Sequence, residues 1–328
     1  MADSISDPLF ILSCPRSYSS VVCAMLGQHP EMHGLPETHL FGEDTMEGWW
    51  SRASAVSYQM AHGLVRAVAE IVFGEQTAET VKSARGWLRR RSSYTSGMLF
   101  EELAWGVRPK VLIDKSPNVV YNSSSLERIR KFFPEGRFLH LVRNPRNYSE
   151  SVLKYLKILS RPAYEPRERR NRVGPEWLRV LASYPYTSPN RVQGIERGGV
   201  LDPQASWYVL NHNIVSFLAT VPEEQWLRVR GEDLLADPVA NLPATLNWLG
   251  LNAQQSDLEE MMHPERAPYA HFGPPGARLG NDILFLEDPH LRLGKGQIPE
   301  LGGPLRWRPD GEGFLPEVLE LAHVLGYE

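Results

Sequence analysis

Cysteine is scarce in this chain of 328 residues, because Cys14 and Cys23 are its only thiols. Two cysteines cannot build a disulfide framework or a zinc site made of cysteine alone. Long apolar runs are also missing, and without an uncharged stretch of about 18 apolar residues no membrane-spanning helix is predicted. The N-terminal segment MADSISDPLF has no basic region followed by an apolar stretch, so no secretory signal is predicted there. We therefore expect a cytoplasmic protein with no membrane partner.

An excess of positive charge is missing as well. The formal net charge is −4 at pH 7, which argues against a general nucleic-acid binder. The chain has no Gly-rich G-x-x-x-x-G-K-[ST] loop, the phosphate-binding signature of common nucleotide-binding proteins. No cluster of carboxylates suited to Mg²⁺ is evident. These absences leave an enzyme or a binding protein as the expectation.

Short apolar segments alternate with helical patterns along the chain. This alternation predicts βαβ units, and hence an α/β fold with a mainly parallel sheet covered on both faces. We expect a P-loop-like, three-layer fold with helices flanking the central sheet. The predicted strands are Pro8–Cys14, Met32–Leu35, Lys110–Asp114, Arg137–Val142 and Gln225–Arg230. The predicted helices are a segment from Ser19 that ends before His29, Tyr58–Phe73, a helical region at about Glu75–Trp105, Leu126–Phe133, one starting near Pro145, and Val239–Leu249.

The chain is predicted to form a single domain over residues 1–328. Residues 161–204 interrupt the alternation of strands and helices, because they are rich in proline and contain the charge-dense segment Glu165–Arg172. We interpret them as a helical or loop insertion that forms a lid over the site; the alternative is a solvated surface excursion. A second irregular segment, rich in Gly and Pro, covers about residues 263–310 and contains HFGPPGARLGND.

The segment FILSCPRSYSS, which runs from Phe10 to Ser20, predicts a strand that turns directly into a helix. A loop that leads into a helix N-terminus presents unpaired backbone N–H groups and a partial positive charge, which favour an anion. Arg16 adds a fixed cation with a planar set of donors. The hydroxyls of Ser17, Ser19 and Ser20 add further donors. The alternative is that Ser17 or Ser19 only caps the helix.

A second polar cluster, LVRNPRNYSES, follows the strand that ends at Val142. Asn144 is a good N-cap and Pro145 suits a first helical position, so a helix should begin here. Arg143 at the strand end and Ser151 two helical turns later could then bind another anionic group. Because ligands of parallel sheets sit at the carboxyl ends of the strands, the two clusters should converge. Two anion sites suit a ligand with phosphates at both ends of a nucleoside.

With these two clusters the sequence resembles the sulfotransferases that use 3′-phosphoadenosine 5′-phosphosulfate (PAPS). Their phosphosulfate loop, P-[RK]-S-G-[ST]-[ST], is similar to PRSYSS at Pro15–Ser20, and their R-[ND]-P…S motif for the 3′-phosphate is similar to Arg143–Pro145 with Ser151. The segments DKSPNVVYNSSSLERIRKFFPEGRF and VRGEDLLADP also resemble family motifs. The segment HFGPPGARLGNDILFLEDPHLR looks like sulfotransferases associated with polyketide and non-ribosomal peptide assembly. The resemblance extends from residue 9 to about residue 292.

The resemblance implies a reaction and roles for individual residues. PAPS would be the co-substrate and adenosine 3′,5′-bisphosphate the product, and no metal is required. Arg16 and Lys115 are candidates to neutralise charge on the leaving group. The family favours Glu37 as the general base, whereas His39 has the more suitable unperturbed pKa. Side chains two positions apart on a loop point in opposite directions, so we expect only one of the two to face the substrate. The predicted contacts of the nucleotide are Arg16, Ser17, Tyr18, Ser19, Ser20, Arg143, Ser151, Arg278 and Asn281.

Two positions differ from the family pattern. Tyr18 stands where the phosphosulfate loop usually has Gly, and an aromatic residue there would be strained if the position requires a positive φ. Gly231 stands where the family often has a Tyr near the adenine. Neither difference removes an anion-binding group.

Weaker candidates have structural interpretations as well. His140 fits an interior histidine, and Trp207, Tyr208, Asn211 and His212 either pack within a helix or line an acceptor pocket. Arg89–Arg91 and Arg167–Arg172 are either solvated surfaces or contacts for an acidic carrier protein. The hypothesis is a PAPS-dependent sulfotransferase acting on a hydroxyl or amine of a natural-product intermediate, free or carrier-bound. One alternative is an ATP-dependent kinase, but this chain lacks the Walker lysine of such enzymes. The other alternative is an inactive nucleotide-binding protein, and the presence of Glu37, Lys115 and Arg143 argues against it.

Overall fold

The computed structural model describes residues 7–56, 58–159, 202–293, 297–308 and 310–328. The lid predicted over residues 161–204 therefore lies outside the described residues, apart from its last three, and so does Arg167–Arg172. Within the described ranges, no helix is both long and apolar enough to cross a membrane. The prediction of a single domain stays a prediction.

A parallel sheet of five strands forms the centre of the described structure. The strand order is β2-β3-β1-β4-β5, and every neighbouring pair is parallel. The central strand β1 pairs on both edges, since Leu9 lies opposite Ile113 on one side and Arg137 on the other. The strands are β1 (Leu9–Leu12), β2 (Met32–Gly34), β3 (Val111–Asp114), β4 (Arg137–Val142) and β5 (Trp226–Arg230).

Helices connect the strands and cover both faces of the sheet. Several begin at caps of the expected chemistry; Asn122, for example, accepts a hydrogen bond from the backbone N–H of Ser125 through its side chain. The helices are α1 (Ser19–Leu26), α2 (Met46–Val56), α3 (His62–Phe73), α4 (Ala78–Arg89), α5 (Ser96–Val107), α6 (Ser123–Phe132), α7 (Pro145–Leu159), α8 (Gln204–Leu218), α9 (Gly231–Ala236), α10 (Pro238–Trp248), α11 (Gln255–Met261), α12 (Ile283–Glu287) and α13 (Pro316–Val324).

The two faces of β1 contribute to two separate hydrophobic cores. Side chains alternate across a strand, so Phe10 lies on one face, within 6 Å of the ring centroids of Phe41, Phe100 and Phe138. Ile11 lies on the other face, in the core that includes residues of α1 and α10. A strand buried on both faces is apolar at every position, and this explains the uninterrupted sequence LFIL of β1.

The predicted three-layer α/β fold with a central parallel sheet is confirmed. All five predicted strands are present, at nearly the predicted bounds. The predicted helical region at Glu75–Trp105 consists of two helices, α4 and α5, whereas α2, α9, α11, α12 and α13 were not predicted from the sequence. The buried side of α2 carries Met46, Trp49 and Ala53 at steps of three and four residues, but Gly, Ser and Arg between them weaken the pattern.

Candidate active site

One cavity of about 790 Å³ lies at the carboxyl ends of the strands. Loops after β1, β2 and β3, the first half of α7 and the chain around α12 all contribute to its wall. The polar clusters that follow β1 and β4 therefore meet, as parallel strands require. The lining residues of the predicted site are Arg16, Ser17, Tyr18, Ser19, Ser20, Glu37, His39, Arg143, Ser151 and Asn281.

The loop between β1 and α1 has an unusual backbone. Arg16 and Tyr18 both have positive φ angles, of 68° and 66°, in a region that non-glycine residues adopt only rarely. Tyr18 is the N-cap of α1 and makes no side-chain capping bond. Because no side chain caps the helix from that position, the first N–H groups of α1 stay available to a ligand.

Glu37 and Lys115 form an ion pair at the edge of the cavity. The ammonium of Lys115 donates to Glu37 Oε1 at 2.8 Å and to Ser20 Oγ at 2.9 Å. The Lys115 side chain has no exposed surface, while that of Glu37 is 20% exposed. Lys115 thus lies behind the wall of the cavity, where it connects the proposed base to the loop before α1.

A buried hydrogen-bond network holds the chain on either side of this ion pair. Thr38 Oγ1 donates to Asp114 Oδ1 at 2.8 Å, and Ser116 donates through its hydroxyl and its backbone N–H to the two Asp114 oxygens. Burial raises the pKa of the Asp114 carboxyl, and these hydrogen bonds lower it in part. The network joins the residues next to Glu37 and Lys115, and so fixes the distance between the loops that follow β2 and β3.

His39 lies beside Glu37, and both line the cavity, contrary to the expectation that only one of them would face the substrate. The backbone of His39 turns back with a φ of 53°. Its Nε2 lies 3.8 Å from Glu37 Oε2, and its Nδ1 is 3.1 Å from Asn118 Oδ1. The left-handed backbone turn is what brings two side chains from alternate positions to the same side.

Arg16 and Arg143 each present a guanidinium to the cavity. Arg16 forms an ion pair with Asp282 and lies over the Tyr155 ring, with 4.8 Å between its Cζ and the ring centroid. Arg143 donates to the backbone oxygen of Arg16 and lies over the Tyr18 ring at 4.1 Å. Burial lowers the pKa of Arg143, because removal from water disfavours the charged form. In both residues Nε is buried and has no hydrogen-bond partner among the described residues.

Two buried, unpaired N–H groups in one cavity indicate an anionic ligand, because buried donors are almost always paired in folded proteins. A guanidinium offers a planar set of donors that matches phosphate oxygens. The donor set of Arg16, Arg143 and the serine hydroxyls therefore fits a nucleotide with two anionic groups.

Glu232 supports the loop that carries Arg143. It is fully buried, its Oε1 accepts from the backbone N–H of Asn144 at 3.0 Å, and its Oε2 accepts from the Tyr327 hydroxyl at 3.0 Å. Asn144 caps α7 as predicted, since its side chain accepts from the N–H of Arg146 at 2.9 Å. The sequence analysis did not single out Glu232 or Tyr327, although Glu232 lies within the VRGEDLLADP motif.

Arg278 and Asn281, both predicted near the 3′-phosphate, are placed differently. Asn281 lines the cavity, and its Oδ1 is buried without a hydrogen-bond partner among the described residues. Arg278 is exposed, with its guanidinium over the Phe272 ring, and it is not among the described residues that line the cavity. A nucleotide contact by Arg278 has no support in this arrangement and stays a prediction.

The helix α8 and His140 support the site from behind. Trp207 is buried and donates through Nε1 to the backbone oxygen of Arg143 at 2.8 Å. Asn211 Oδ1 lies 3.2 Å from His140 Nε2, and burial lowers the pKa of His140 to about 3. These residues, like Tyr208 and His212, are not among the described residues that line the cavity. Among the described residues no group of three His, Cys, Asp or Glu side chains could hold a metal ion.

A family model described as "Sulfotransferase family" matches residues 8–186, more than half of the 328 residues. This chain belongs to the sulfotransferase family. The matched range contains most of the cavity-lining residues that the sequence predicted, from Arg16 to Ser151. None of the curated proteins is similar enough in sequence to be matched to this sulfotransferase.

Solved structures agree with this assignment at the level of the fold. The sulfotransferase domain from the curacin biosynthetic pathway superimposes with a TM-score of 0.71 and 22% identity, covering 98% of both chains. The sulfotransferase domain from the Synechococcus PCC 7002 olefin synthase gives a TM-score of 0.67 and 21% identity, covering 98% of this chain and 96% of that one. The sulfotransferase fold thus spans nearly the whole chain.

Proposed function

We propose that this protein transfers a sulfuryl group from PAPS to a hydroxyl or amine of a small-molecule acceptor and releases adenosine 3′,5′-bisphosphate. The observation that carries the proposal is the pair of guanidinium groups, Arg16 and Arg143, each with a buried and unpaired N–H at one cavity. Each suits one anionic end of such a nucleotide. Family membership supports the same reaction.

Sulfuryl transfer resembles phosphoryl transfer, in which the protein mainly positions the reactants and stabilises charge. PAPS, when bound, supplies an activated sulfuryl group on a phosphate leaving group. In the proposed step the acceptor oxygen forms a bond to sulfur, the bond from sulfur to the bridging oxygen breaks, and its electron pair stays on that oxygen. Arg16 neutralises the resulting charge from the wall of the cavity, and the buried Lys115 adds its positive charge from behind that wall. Ser20, which accepts from Lys115, holds this ammonium beside the loop.

The acceptor must lose a proton, and Glu37 is the proposed general base. Glu37 Oε1 accepts from Lys115, while Oε2 is 3.8 Å from His39 Nε2. Lys115 therefore orients the carboxylate by one oxygen and leaves the other oxygen for the acceptor proton. We propose Glu37 rather than His39 as the base on the family pattern, and His39 as its neighbour, since the His39 Nδ1–H donates to Asn118 Oδ1 and this contact holds Nε2 beside Glu37 Oε2.

The acceptor is proposed to be a natural-product intermediate, either free or attached to a carrier protein. The similar structures come from the curacin biosynthetic pathway and an olefin synthase, and this motivates the carrier-bound form. The exposed residues Arg89 and Arg90 are candidates for contact with an acidic carrier. A cytoplasmic location stays a prediction from the sequence.

Calorimetric titration with adenosine 3′,5′-bisphosphate, and with ATP and Mg²⁺ for comparison, tests the proposal. We expect selective binding of the bisphosphate, which Arg143→Ala abolishes. The matched control is Arg108→Ala, which also removes a guanidinium stacked over an aromatic ring, at the exposed pair with Trp105. Preference for ATP with Mg²⁺ would favour a kinase instead. Bisphosphate binding without sulfuryl transfer to any acceptor would favour an inactive nucleotide-binding protein.

A further inference from the structure

Tyr18 has a backbone conformation that does not suit an aromatic residue. Its φ of 66° and ψ of 3° place it in the left-handed region, which is unfavourable for a residue with a Cβ. A glycine would relieve this strain. Strained positions of this kind persist where the side chain is needed at a functional site. The question is what the Tyr18 ring contributes.

The ring of Tyr18 occupies the space in front of Gly231. A Cβ built at Gly231 would lie 3.3 Å from Tyr18 Cε2 and only 2.5 Å from its Cδ2, and the second distance is shorter than real Cβ contacts. Gly231 is buried and begins the helix α9, and its φ is not one of the positive angles that only glycine adopts freely. The absence of a side chain at Gly231 is therefore explained by the ring and not by the backbone.

The Tyr18 ring also contacts Arg143. The Arg143 guanidinium lies over the ring, with 4.1 Å between its Cζ and the centroid, in the geometry of a cation–π contact. One edge of the guanidinium donates to the Arg16 backbone, and Nε is buried and has no partner among the described residues. The ring thus fixes the plane of the Arg143 guanidinium at the wall of the cavity.

We infer that Tyr18 and Gly231 form a matched pair that positions the Arg143 guanidinium for the second anionic group of the donor nucleotide. The inference rests on the proposed function, because it takes that group to be the 3′-phosphate. Tyr18 acts here as a positioning residue, and Gly231 makes room for its ring. This single arrangement explains two unfavourable features, the strained backbone of Tyr18 and the glycine at position 231 in a helix.

The test compares two nucleotides in the variant Tyr18→Gly. Calorimetry gives the Kd of adenosine 3′,5′-bisphosphate and of adenosine 5′-monophosphate, which lacks the 3′-phosphate. We expect bisphosphate binding to weaken about ten-fold, with a much smaller change for the monophosphate. The melting temperature reports two opposing effects, since glycine relieves the strain but removes a ring that packs against the core. A lower preference for the bisphosphate, with the affinity for the monophosphate retained, is a result that general structural damage does not produce.

A double-mutant cycle tests the pairing itself. Gly231→Ala alone should weaken bisphosphate binding, because the new methyl group displaces the Tyr18 ring. In the Tyr18→Gly background the same substitution has free space, and it should cause no further loss. Additive effects, or a Gly231→Ala protein that binds as wild type, would overturn the inference. If Gly231→Ala does not fold alone, folding of the double variant still demonstrates the pairing, and failure of both proteins to fold refutes it.

Two comparisons separate this inference from the proposed function. Trp105→Ala removes a ring from another contact with an arginine, on the surface, and should leave both affinities unchanged. A wild-type protein that does not bind the bisphosphate refutes the proposed function, and the inference fails with it. If the wild-type protein binds the bisphosphate and Tyr18→Gly keeps the same preference for the bisphosphate over the monophosphate, the inference is refuted and the proposed function is not.

Discussion

Gly63 and Glu37 lie so close together that a Cβ at Gly63 would be 1.9 Å from the backbone oxygen of Glu37. The Glu37 N–H donates to the Gly280 oxygen at 2.7 Å. Gly280 has a φ of 110°, and a Cβ there would lie 2.6 Å from Gly63 Cα. The main chain of the proposed base, the first turn of α3 and Gly280 thus meet without room for another side chain.

Gly63→Ala should therefore lower the rate of sulfuryl transfer. The methyl group cannot be placed without moving the Glu37 peptide, and a displacement of about 1 Å at a catalytic group can cost on the order of 10²-fold in rate. Binding of adenosine 3′,5′-bisphosphate should change less than the rate, because Arg16 and Arg143 lie on other loops and only Asn281 adjoins the Gly280 that packs on Gly63. Steady-state rates and calorimetry on the same protein measure the two effects.

The matched control for Gly63→Ala is Gly86→Ala. Gly86 lies in α4, and a Cβ there would meet only the end of the flexible Arg90 side chain, at 3.5 Å. Alanine at that position should stabilise the helix by about 1 kcal/mol and leave the transfer rate unchanged. If Gly63→Ala retained the full rate, the close approach of Gly63 to Glu37 would have no catalytic consequence.

The ion pair of Lys115 and Glu37 contributes to both stability and activity, and two variants can measure these contributions separately. Lys115→Met leaves the Glu37 carboxylate without its buried partner and should cost about 2 kcal/mol of unfolding free energy, given the partial exposure of Glu37. Glu37→Gln retains an acceptor for Lys115 and should cost less. Both variants should lose transfer activity, by about 10²-fold or more for the base. Urea unfolding and transfer rates measure the two parts, and a fully active Glu37→Gln would exclude Glu37 as the base.

His140 should make the stability of the protein depend on pH below neutrality. Burial lowers its pKa to about 3 from 6.5, and the neighbouring Arg228 acts in the same direction. Between these two values the unfolded chain binds a proton that the folded protein does not, so stability falls as pH decreases below about 6.5. From pH 7 to pH 5 this residue should cost about 2 kcal/mol.

The pH effect can be isolated with His140→Gln, which removes the titrating group. Urea unfolding at pH 5, 7 and 8 should show a smaller loss from pH 7 to pH 5 in this variant than in the wild type. Between pH 7 and pH 8 the difference between the two proteins should stay constant, because His140 is neutral in both the folded and the unfolded chain. Equal losses below pH 7 would contradict the assignment.

The strands and the anion-binding loops could be predicted from the sequence, because their signals are local. A run such as LFIL of β1 is apolar throughout only if both faces are buried, and the polar loops after β1 and β4 follow such runs directly. Parallel topology then brings Arg16 and Arg143 together without knowledge of any contact. Glu37 and Lys115 were predicted from their places directly after predicted strands together with the family resemblance.

The contacts that set the geometry of the site could not be predicted, because they join distant segments. Gly63 is an ordinary glycine of a helical pattern until the approach of Glu37 is known. Arg278 and Asn281 were predicted together, but the positive φ of Gly280 between them is part of the turn that leaves one on the surface and the other in the cavity. Local sequence does not encode which residue of such a turn faces inward.

Asp282 offers a last prediction, because it forms an ion pair with Arg16 in the cavity. Its carboxylate lies where it repels an anionic nucleotide and competes for the Arg16 guanidinium. The variant Asp282→Asn removes the charge but keeps a side-chain oxygen for the N–H of Leu284, which Asp282 caps at 3.1 Å. We expect Asp282→Asn to bind adenosine 3′,5′-bisphosphate about five-fold more tightly, an effect of about 1 kcal/mol.

Calorimetry at low and high salt tests this prediction, because the gain should shrink as salt screens the repulsion. Asp282→Ala is the companion variant, since it loses both the charge and the cap. It should gain affinity to a similar degree but melt at a lower temperature, by the loss of an N-cap worth about 1 kcal/mol. Weaker binding by Asp282→Asn would instead mean that Asp282 holds Arg16 in the orientation that the nucleotide requires, so that the ion pair assists binding rather than opposing it.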